Sequence, residues 1–595
     1  MQKQRNFPKR RSAHAKRPVR RAIKHTTSST TKVVAKIPDV PLDAIRIIPL
    51  GGTEEVGRNM TVIEGPHDII IVDAGLQFKF EETPGIDYII PNVKYLEERK
   101  HKIRGLFITH GHLDHIGAIP FVLAKIGNPQ IYSRRFGAML IAKRQEEFPN
   151  EPKLKMSIIE GNETFRFTDF AVDSFPISHT IPDSMGLLIE TKLGRIAFIE
   201  DVRVDNVDGR PTLEEEEQYK RFKERELLLL TMDSTSIEKP GFSVAETTVV
   251  KNLERFIKDA PGRLIIGTFA SQIERVISII EIVERYGKKV VIDGRSMKTN
   301  VEISRQLNLL TSKNIIPIED INKYPPNKIV IIATGSQGEE YSVLWRVANK
   351  SHQHITLNKS DTVLLSSSII PGNDYPISKL KDNIYRQEAK IITYRDSDIH
   401  ASGHGNRGEL EWIHTQFKYR FFMPVHGHHF MLRQHADLAM SLGLPYERAI
   451  VPENGAIIEF YEGGQKWRRL KERAPSELTL VDGFSVGDMQ NVVLRDRQAL
   501  SQDGIFVVIA VVDVRTGKIR KSPDIISRGF IYLKESQELI AETRSIAKKT
   551  VEDGCRGLHP VDFEFIKKNL TDNISRFLFQ QTAKRPLVIP VVLSV

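Results

Sequence analysis

The sequence has 595 residues, of which 40% are hydrophobic and 27% charged, and its formal net charge is +11. This length predicts several domains with buried apolar cores, and the composition is typical of soluble globular proteins. The only cysteine, Cys555, excludes a disulfide framework and a zinc site made of thiolates. Any bound metal ion must therefore be held by histidine, aspartate and glutamate side chains.

The excess positive charge lies at the N-terminus. Residues 1–36 contain 12 Lys or Arg and no acidic residue, and the rest of the chain has 74 basic and 75 acidic residues. We predict a disordered basic tail over residues 1–40. Three interpretations of this tail stay open. It could be an arm that binds nucleic-acid phosphates, a solubilising segment that contacts ribosomes non-specifically, or a mitochondrial targeting signal.

No segment of the sequence has the pattern of a membrane span or a secretory signal. The longest apolar run, Ile505–Val512, is well short of the ~20 residues that a transmembrane helix needs. The N-terminus lacks the apolar core of a signal peptide. We therefore predict a cytoplasmic protein without membrane association.

Short apolar strands that end in polar or glycine-rich residues recur from Ile45 to Val425, and helical stretches such as Gln272–Tyr286 lie between them. Alternation of this kind predicts α/β layers, with chemical residues at the strand ends. Glu462–Pro475 is charged without periodicity, which indicates a linker. A strand pair around the turn Arg515–Gly517 and a helix at Ser536–Val551 then predict a small α+β C-terminal domain.

The segment Thr109–His115 has the pattern of a metal-binding loop. It reads Thr-His-Gly-His-Leu-Asp-His, directly after a predicted strand, and so offers three imidazoles and one carboxylate (His110, His112, Asp114 and His115). Catalytic zinc prefers such ligands and keeps one position open for water. One ion can bind the alternate histidines and a second the Asp-His pair. A histidine-rich surface loop is the alternative, but it does not explain the complete pattern at a strand end.

Two ions need ligands from other parts of the chain. Candidates at other predicted strand ends are His179, Asp201 and His426, and the Asp201 carboxylate is suited to bridge both ions. Asp73, at a further strand end, is a candidate to orient one loop histidine through a hydrogen bond. The sequence therefore predicts two Zn²⁺ ions per subunit, with Mn²⁺ or Mg²⁺ as alternatives.

Further motifs restrict the choice of family. The metal loop is typical of the metallo-β-lactamase superfamily, and three later blocks resemble motifs A, B and C of its β-CASP branch: Asp233-Ser-Thr-Ser, His400-Ala-Ser-Gly-His404 and Pro424-Val-His426-Gly. Four more blocks follow the family in order: Leu50–Gly57, Thr268–Ser271, Ser368–Asn373 and Ser527–Phe530. From about Pro41 to Val595, the chain resembles bacterial ribonuclease J.

This resemblance implies an α/β fold, in which a β-CASP α/β domain is inserted into a metallo-β-lactamase αββα sandwich and a small α+β C-terminal domain follows. The expected boundaries are the tail at 1–40, the lactamase domain at 41–244 and 386–461, the β-CASP domain at 245–385, a linker at 462–485 and a C-terminal oligomerisation domain at 486–595.

The resemblance also implies a zinc-dependent ribonuclease, with 5′→3′ exonuclease and endonuclease activity and a preference for single-stranded RNA with a 5′-monophosphate. It implies roles in mRNA decay and rRNA maturation. It further implies a homodimer or homotetramer formed through the C-terminal domain, with a paralogous subunit, an RNA-degradation complex or the ribosome as other candidate partners.

The family's site residues map onto this sequence position by position. One zinc ion would be held by His110, His112 and His179, the other by Asp114, His115 and His426, with Asp201 shared. His404 would give a proton to the leaving oxygen, and Asp233 would set its tautomer. The pocket for the terminal phosphate would be formed by Phe269, Ala270, Ser271, His400, Ala401, Ser402, Gly403 and His404.

The sequence departs from the family pattern at two places. Ile199-Glu200 stands where the family usually has Thr-Gly before the shared aspartate, and His428 stands where it often has Glu. Three alternatives stay open: a non-catalytic RNA-binding subunit of a ribonuclease J complex, a DNA-directed β-CASP nuclease, and a small-molecule hydrolase. The complete ligand set counts against the first, and the inserted domain with its His-Ala-Ser-Gly-His block counts against the third.

Overall fold

The computed structural model describes residues 36–78, 83–161, 163–370, 372–483, 485–487, 491–531, 536–556 and 561–595. The predicted basic tail thus lies outside the described residues, except for positions 36–40. Among the helices in the described ranges, none combines the length and apolarity needed to span a membrane.

Most of the first 233 residues form the first part of a domain that we call the sandwich domain. Its elements are β1 Ile45–Gly51, β2 Met60–Glu64, β3 Ile69–Val72, β4 Gln77–Phe78, β5 Tyr88–Ile90, α1 Lys94–Glu97, β6 Ile103–Phe107, α2 Leu113–Ile116, α3 Ile119–Val122, β7 Ile131–Ser133, α4 Arg135–Gln145, β8 Met156–Ile158, β9 Phe165–Arg166, β10 Phe170–Pro176, β11 Met185–Thr191, β12 Gly194–Phe198, β13 Asn206–Val207, β14 Arg210–Pro211, α5 Leu213–Lys220 and β15 Leu227–Asp233.

The inserted domain follows, with strands and helices in alternation. Its elements are α6 Glu246–Asp259, β16 Leu264–Thr268, α7 Ile273–Arg285, β17 Lys289–Asp293, α8 Arg295–Gln306, β18 Ile329–Ala333, α9 Val343–Ala348, β19 Thr362–Ser366, α10 Asp374–Tyr385 and β20 Lys390–Thr393. The strands form a parallel sheet in the order β17-β18-β16-β19-β20. They are almost entirely buried because α6, α7 and α8 cover one face and α9 and α10 the other.

The chain then returns to the sandwich domain through α11 Arg407–Gln416, β21 Tyr419–Val425, α12 His429–Ser441, β22 Ala456–Tyr461 and β23 Lys466–Arg473. One sheet has the order β23-β22-β1-β2-β3-β6-β7-β8, and the other has the order β21-β15-β12-β11-β10-β9. Their inner faces share one apolar core, to which the first sheet contributes Ile47 and Phe107 and the second contributes Leu187 and Met423. Helices α5, α11 and α12 pack on the outer face of the second sheet.

The C-terminal region contains β24 Thr479–Asp482, β25 Ser485–Gly487, α13 Asn491–Gln502, β26 Ile505–Asp513, β27 Lys518–Ile519, β28 Asp524–Arg528, α14 Gln537–Cys555, α15 Phe563–Thr582 and β29 Leu587–Ser594. Strand β26 pairs antiparallel with β27 and β28 and parallel with β29. Helices α14 and α15 pack their apolar faces on this sheet. The predicted α+β character and the strand pair around Arg515–Gly517 are thus observed, whereas α15 and β29 were not predicted.

Two predicted boundaries differ from the structure. Strand β20, at Lys390–Thr393, pairs with β19 of the inserted sheet, so this sheet extends beyond the expected boundary at residue 385. The expected linker at 462–485 is also wrong over much of its length, because β23 pairs with β22 and β24 pairs with β5 of the sandwich domain. Strand β23 is an edge strand whose many exposed charges hid its alternation, as is common for edges that avoid further pairing.

Candidate metal centre

The loop between β6 and α2 carries the predicted metal ligands. Thr109 and His110 follow the last buried residues of the strand, and α2 is a single turn that begins at Leu113. The turn places His110, His112 and His115 on the side that faces the second sheet, where Asp201 follows β12. The loop thus brings ligands from one sheet against ligands from the other.

The first ligand group consists of His110, His112, His179 and Asp201. Nδ1 of His112 lies 3.1 Å from Nε2 of His110 and 3.1 Å from Nε2 of His179. Oδ2 of Asp201 lies 3.5 Å from Nε2 of both His110 and His179. Three imidazole nitrogens and one carboxylate oxygen therefore converge on one point, which is a donor set suited to zinc.

The second ligand group consists of Asp114, His115 and His426, and Asp201 borders it as well. Oδ2 of Asp114 lies 3.6 Å from Nε2 of His115 and 3.5 Å from Nε2 of His426. Oδ1 of Asp201 lies 3.2 Å from Nε2 of His115. Asp201 therefore directs one oxygen toward each group, and its role as a shared ligand stays a prediction.

The polar atoms at the centre of these groups fit bound cations. Oδ1 of Asp201 lies 2.5 Å from Nδ1 of His426, and Nε2 of His426 is buried without a hydrogen-bond partner in the described part of the chain. Buried polar atoms without hydrogen bonds are costly unless a cation or another partner takes their lone pairs. The donor set is histidine and carboxylate throughout, so the residues present fit two divalent ions.

The histidines of the site have opposite electrostatic environments. Burial lowers the pKa of His110 to about 3, although the nearby Asp201 partly opposes this shift. Burial also lowers the pKa of His426, but the carboxylates of Asp201, Asp233 and Asp114 raise it more, to about 10. His110 is therefore ready to offer a lone pair, whereas His426 must release a proton before it can bind a cation.

Asp73 bonds two residues of the metal loop. Its Oδ2 accepts a hydrogen bond from Nδ1 of His115 (2.8 Å), and its two oxygens accept bonds from the backbone N–H (2.8 Å) and the hydroxyl of Thr109 (2.7 Å). This arrangement directs Nε2 of His115 toward the site. Asp73 and His426 both have positive φ angles, 60° and 49°, a strained conformation for such residues that often marks functional sites.

His404 lies at the rim of the metal centre, and its side chain is 23% exposed. Its Nδ1 donates to Oδ2 of Asp233 over 2.8 Å, and its Nε2 lies 3.8 Å from Oδ2 of Asp201. Burial lowers the pKa of His404, but the Asp233 and Asp201 carboxylates outweigh it, and the pKa is raised. The predicted pair thus has the geometry of a histidine held in one tautomer with its other nitrogen free to give a proton.

The two segments predicted to bind a terminal phosphate lie next to each other. The amide of Gln272, which follows Phe269–Ser271, reaches the carbonyl of Ala401 (3.4 Å), and the carbonyl of Ser271 lies 3.5 Å from Nε2 of His112. Gly403 also supports the metal ligands, because its carbonyl accepts a hydrogen bond from Nδ1 of His179 at 2.7 Å. A Cβ at Gly403 would lie 2.8 Å from Cε1 of the same histidine.

His400 is more buried than its role in the predicted pocket requires. It is 8% exposed, its Nδ1 lies 2.9 Å from Nη1 of Arg275, and it also bonds the backbone of Ser366. Burial and the Arg275 charge lower its pKa to about 3, so the ring is neutral. These contacts favour a positioning role for His400, and its predicted contact with phosphate stays a prediction.

Sequence reasoning missed a buried ion network where the two domains meet. Glu246 binds Arg275 through two bonds (2.8 and 2.7 Å) and Arg203 through one (3.2 Å), and Nη2 of Arg203 lies 3.5 Å from Glu274. The side chains of Arg203 and Arg275 are 6% and 2% exposed. Arg275 lies in the predicted helix Gln272–Tyr286, and the helical pattern carries no sign that it pairs with residues elsewhere in the chain.

Comparison with known proteins assigns the family. Sequence models match in three consecutive regions: the metallo-beta-lactamase superfamily at residues 53–212, the ribonuclease J beta-CASP domain at 261–384, and the ribonuclease J C-terminal domain at 492–595. Ribonuclease J2 of Bacillus subtilis is 32% identical over 553 residues, which cover 93% of this chain and 99% of the relative. The chain belongs to the ribonuclease J family. Ribonuclease J 2 of Staphylococcus epidermidis is 33% identical, with 92% of this chain and 98% of the relative covered.

The family assignment confirms the predicted fold class, a metallo-β-lactamase sandwich with an inserted β-CASP domain and a ribonuclease J C-terminal domain. It also confirms that the chain is a metal-dependent nuclease of the hydrolase class. The fold implies a divalent metal, and the histidine and aspartate groups described above are where such ions fit.

Proposed function

We propose that the protein hydrolyses RNA with two zinc ions, with Mn²⁺ or Mg²⁺ as alternatives, as a 5′→3′ exonuclease that also cuts internally and prefers a 5′-monophosphate. We further propose that it acts in mRNA decay and rRNA maturation in the cytoplasm. The observation that carries this proposal is that two ligand groups share Asp201, with His404 and Asp233 beside them. When bound, two divalent ions would supply an activated water and offset the charge that develops on phosphate.

His404 is the proposed proton donor to the leaving oxygen. Asp233 accepts the Nδ1 proton, which leaves the Nε2 proton of the imidazolium to be donated toward the site that Asp201 borders. The two carboxylates raise the pKa of His404 despite its burial, so they favour the protonated form that can donate the proton. Asp233 thus acts as the positioning partner of this proton donor.

The proposed binding site for the RNA 5′ end is formed by Phe269–Ser271 and His400–His404. Ser271 and Ser402 are half-buried hydroxyl residues, and Ser271 lies against the metal ligand His112. Small hydroxyl side chains and backbone amides suit a phosphate, which accepts several hydrogen bonds. A phosphate held this close to the ligands would position the phosphodiester bond next to a 5′ end for cleavage.

Digestion of 5′-labelled RNA tests the proposal. We expect protein that carries about two zinc ions to release the label as a mononucleotide from 5′-monophosphate RNA, and far more slowly from 5′-triphosphate RNA. His112→Ala should lose both metal content and activity, because this ligand belongs to the first group. No release by metal-loaded protein would refute the proposal, as would full activity of His112→Ala.

Two alternatives make different predictions in the same assay. A DNA-directed nuclease would degrade single-stranded DNA of the same sequence faster than RNA. A non-catalytic subunit would bind RNA without cleaving it. RNA cleavage would then be seen only after a catalytic paralogous subunit is added. The complete ligand set supports a catalytic chain.

We propose that the C-terminal domain joins subunits into a homodimer or homotetramer. It leaves large apolar side chains in water on the described surface: Ile526 (45% exposed), Phe565 (49%), Phe579 (41%) and Leu593 (50%). Exposed apolar surface of this kind is typical of protein contacts. Analytical ultracentrifugation of the full chain and of Phe565→Glu tests this: the substitution should lower the oligomeric state, and a monomeric wild type would refute it.

A further inference from the structure

Glu200 is a buried carboxylate beside the metal centre. It follows β12, directly before the shared ligand Asp201, and is 3% exposed. Its Oε2 is completely buried and has no hydrogen-bond partner in the described ranges. A buried carboxylate oxygen without a donor is costly, so Glu200 must take up either a proton or a cation there.

The surroundings of Glu200 point to the second ligand group. Ligand atoms of Glu200, His115 and Asp201 all lie within 4.8 Å of one another. The charges that act on Glu200 come from His115, Asp73, His426 and Asp201, all of them at the metal centre. No lysine or arginine pairs with Glu200 among the ion pairs that the structure describes.

We propose that Glu200 is an additional carboxylate ligand of the ion held by Asp114, His115, His426 and Asp201, and that it shifts this position from Zn²⁺ toward a harder ion such as Mn²⁺. This inference rests on the two-metal centre of the proposed function and adds to it the identity of one ion.

Ligand chemistry supports the direction of this shift. Zn²⁺ in proteins is usually four-coordinate and accepts imidazole readily, whereas Mn²⁺ prefers carboxylate and water oxygens in an octahedral arrangement. Without Glu200, the second group offers two imidazoles and two carboxylates, which is a complete zinc set. With Glu200, it offers a third carboxylate and an additional ligand, which suits an octahedral ion.

Metal titration of the chelator-stripped full-length protein tests the inference independently of RNA. Free Mn²⁺ is measured by electron paramagnetic resonance, and Zn²⁺ by competition with a chromophoric chelator. The variant is Glu200→Gln, which keeps the shape and removes the charge. The matched control is Glu215→Gln, because Glu215 is a glutamate of the same domain that is also buried (2% exposed) but belongs to none of the described ligand groups.

We expect Glu200→Gln to weaken Mn²⁺ binding at one of the two positions by about 10–100-fold, which is typical for loss of a group that supports a metal, and to weaken Zn²⁺ binding less. Glu215→Gln should leave both affinities at the wild-type value. Equal Mn²⁺ affinities of Glu200→Gln and wild type would overturn the inference, as would an equal loss for both metals.

If Glu200→Gln does not fold, a crystal structure of Mn²⁺-loaded wild-type protein tests the inference instead. An oxygen of Glu200 within about 2.5 Å of an ion would support the inference, and a Glu200 that contacts neither ion would overturn it. The two proposals also fail differently. A wild type that binds no pair of ions refutes the proposed function, whereas one that binds two ions without using Glu200 refutes only this inference.

Discussion

Asp201 connects the two ligand groups at the scale of single residues. Its Oδ2 faces His110 and His179, and its Oδ1 faces His115 and His426. Its negative charge acts on all four histidines, yet burial dominates at His110 and His179, and the carboxylates dominate at His115 and His426. Before metal binds, the rings of His110 and His179 are therefore neutral, and the rings of His115 and His426 are protonated.

Metal uptake should consequently release protons. The pKa of His426 is raised to about 10 and that of His115 is raised well above its usual value, so both rings are protonated at pH 7 in the metal-free protein. An imidazole must be neutral to bind a metal ion, so these two rings should release about two protons on loading, and the affinity should fall as the pH falls. The carboxyl of Glu200, whose pKa burial raises to about 8, should release a further proton if it binds an ion. Calorimetry in buffers of different ionisation enthalpy measures this number.

The matched variant for that measurement is His426→Gln, which should release about one proton fewer, because one charged ring is gone. Metal binding without net proton release would contradict the assigned charge states of His115 and His426.

The pH dependence of RNA cleavage should depend on Asp233. Burial lowers the pKa of His404, and Asp233 and Asp201 raise it more, so removal of the Asp233 charge should lower it. Because the role proposed for His404 is that of an acid, activity should be lost as the pH rises through its pKa. Asp233→Asn should therefore move the basic limb of kcat/KM to lower pH and reduce the rate by about 10²–10⁴-fold at neutral pH.

The comparison variant is His404→Ala. It should remove the basic limb of the kcat/KM pH profile, because that limb depends on the His404 ring. An Asp233→Asn profile that coincides with the wild-type basic limb would show that another group donates the proton.

At the scale of elements, helices α6 and α7 tie the inserted domain to the sandwich domain. Glu246 begins α6, Arg275 lies in the first turns of α7, and Arg203 belongs to the sandwich domain after β12. Arg275 also bonds the carbonyl of Ala401 over 3.2 Å, beside the predicted phosphate pocket. This ion network therefore fixes the inserted domain, and with it the pocket, relative to the metal ligands.

Loss of Glu246 should destabilise the protein strongly. Glu246→Ala would leave the buried guanidinium of Arg275 without its partner, and we expect a loss of about 3–5 kcal/mol in the free energy of unfolding. Urea unfolding of the full chain, followed by tryptophan fluorescence, measures the loss. The control is Glu146→Ala, whose pair with Lys143 is largely exposed (63% and 55%) and should contribute less than about 1 kcal/mol. Equal stability of the two variants would contradict the role of the network.

At the scale of the whole molecule, the excess positive charge is concentrated in the N-terminal tail. Residues 1–36 carry 12 of the 86 basic residues and no acidic residue, and the rest of the chain is nearly neutral. RNA binding through the folded part must then rely on a local concentration of basic side chains. The tail is the one region of the sequence with a large uniform charge.

Deletion of residues 1–36 should weaken RNA binding and make it less sensitive to salt. Each phosphate contact on single-stranded RNA contributes about −0.7 to the slope of log K against log salt concentration, so loss of several contacts makes the slope shallower. Fluorescence anisotropy at several salt concentrations measures both quantities. If the truncated chain kept the wild-type slope of log K against log salt concentration, the tail would not contact RNA phosphates, and solubility would be its remaining role.

Several parts of the fold were predictable because they rest on local pattern. The alternation of buried strands and amphipathic helices predicted the α/β layers, and the turn at Arg515–Gly517 predicted the pairing of β26 with β27. Strand β20 was also recognised, but a strand's own pattern does not say which sheet it joins, and it was assigned to the wrong domain. The exposed charges of Lys466–Arg473 concealed an edge strand for a similar reason, since only one of its faces packs on the protein.

The candidate ligands and their positions at strand ends could be recognised in the sequence, because the loop from His110 to His115 needs only six consecutive residues to be identified. What surrounds these candidates depends on the folded chain. The tertiary structure placed Gly403 against His179, buried His400 against Arg275, and left Glu200 facing the metal ligands without a partner. These contacts join residues that are distant in the chain, and burial and pairing energies depend on such neighbours, which no local pattern records.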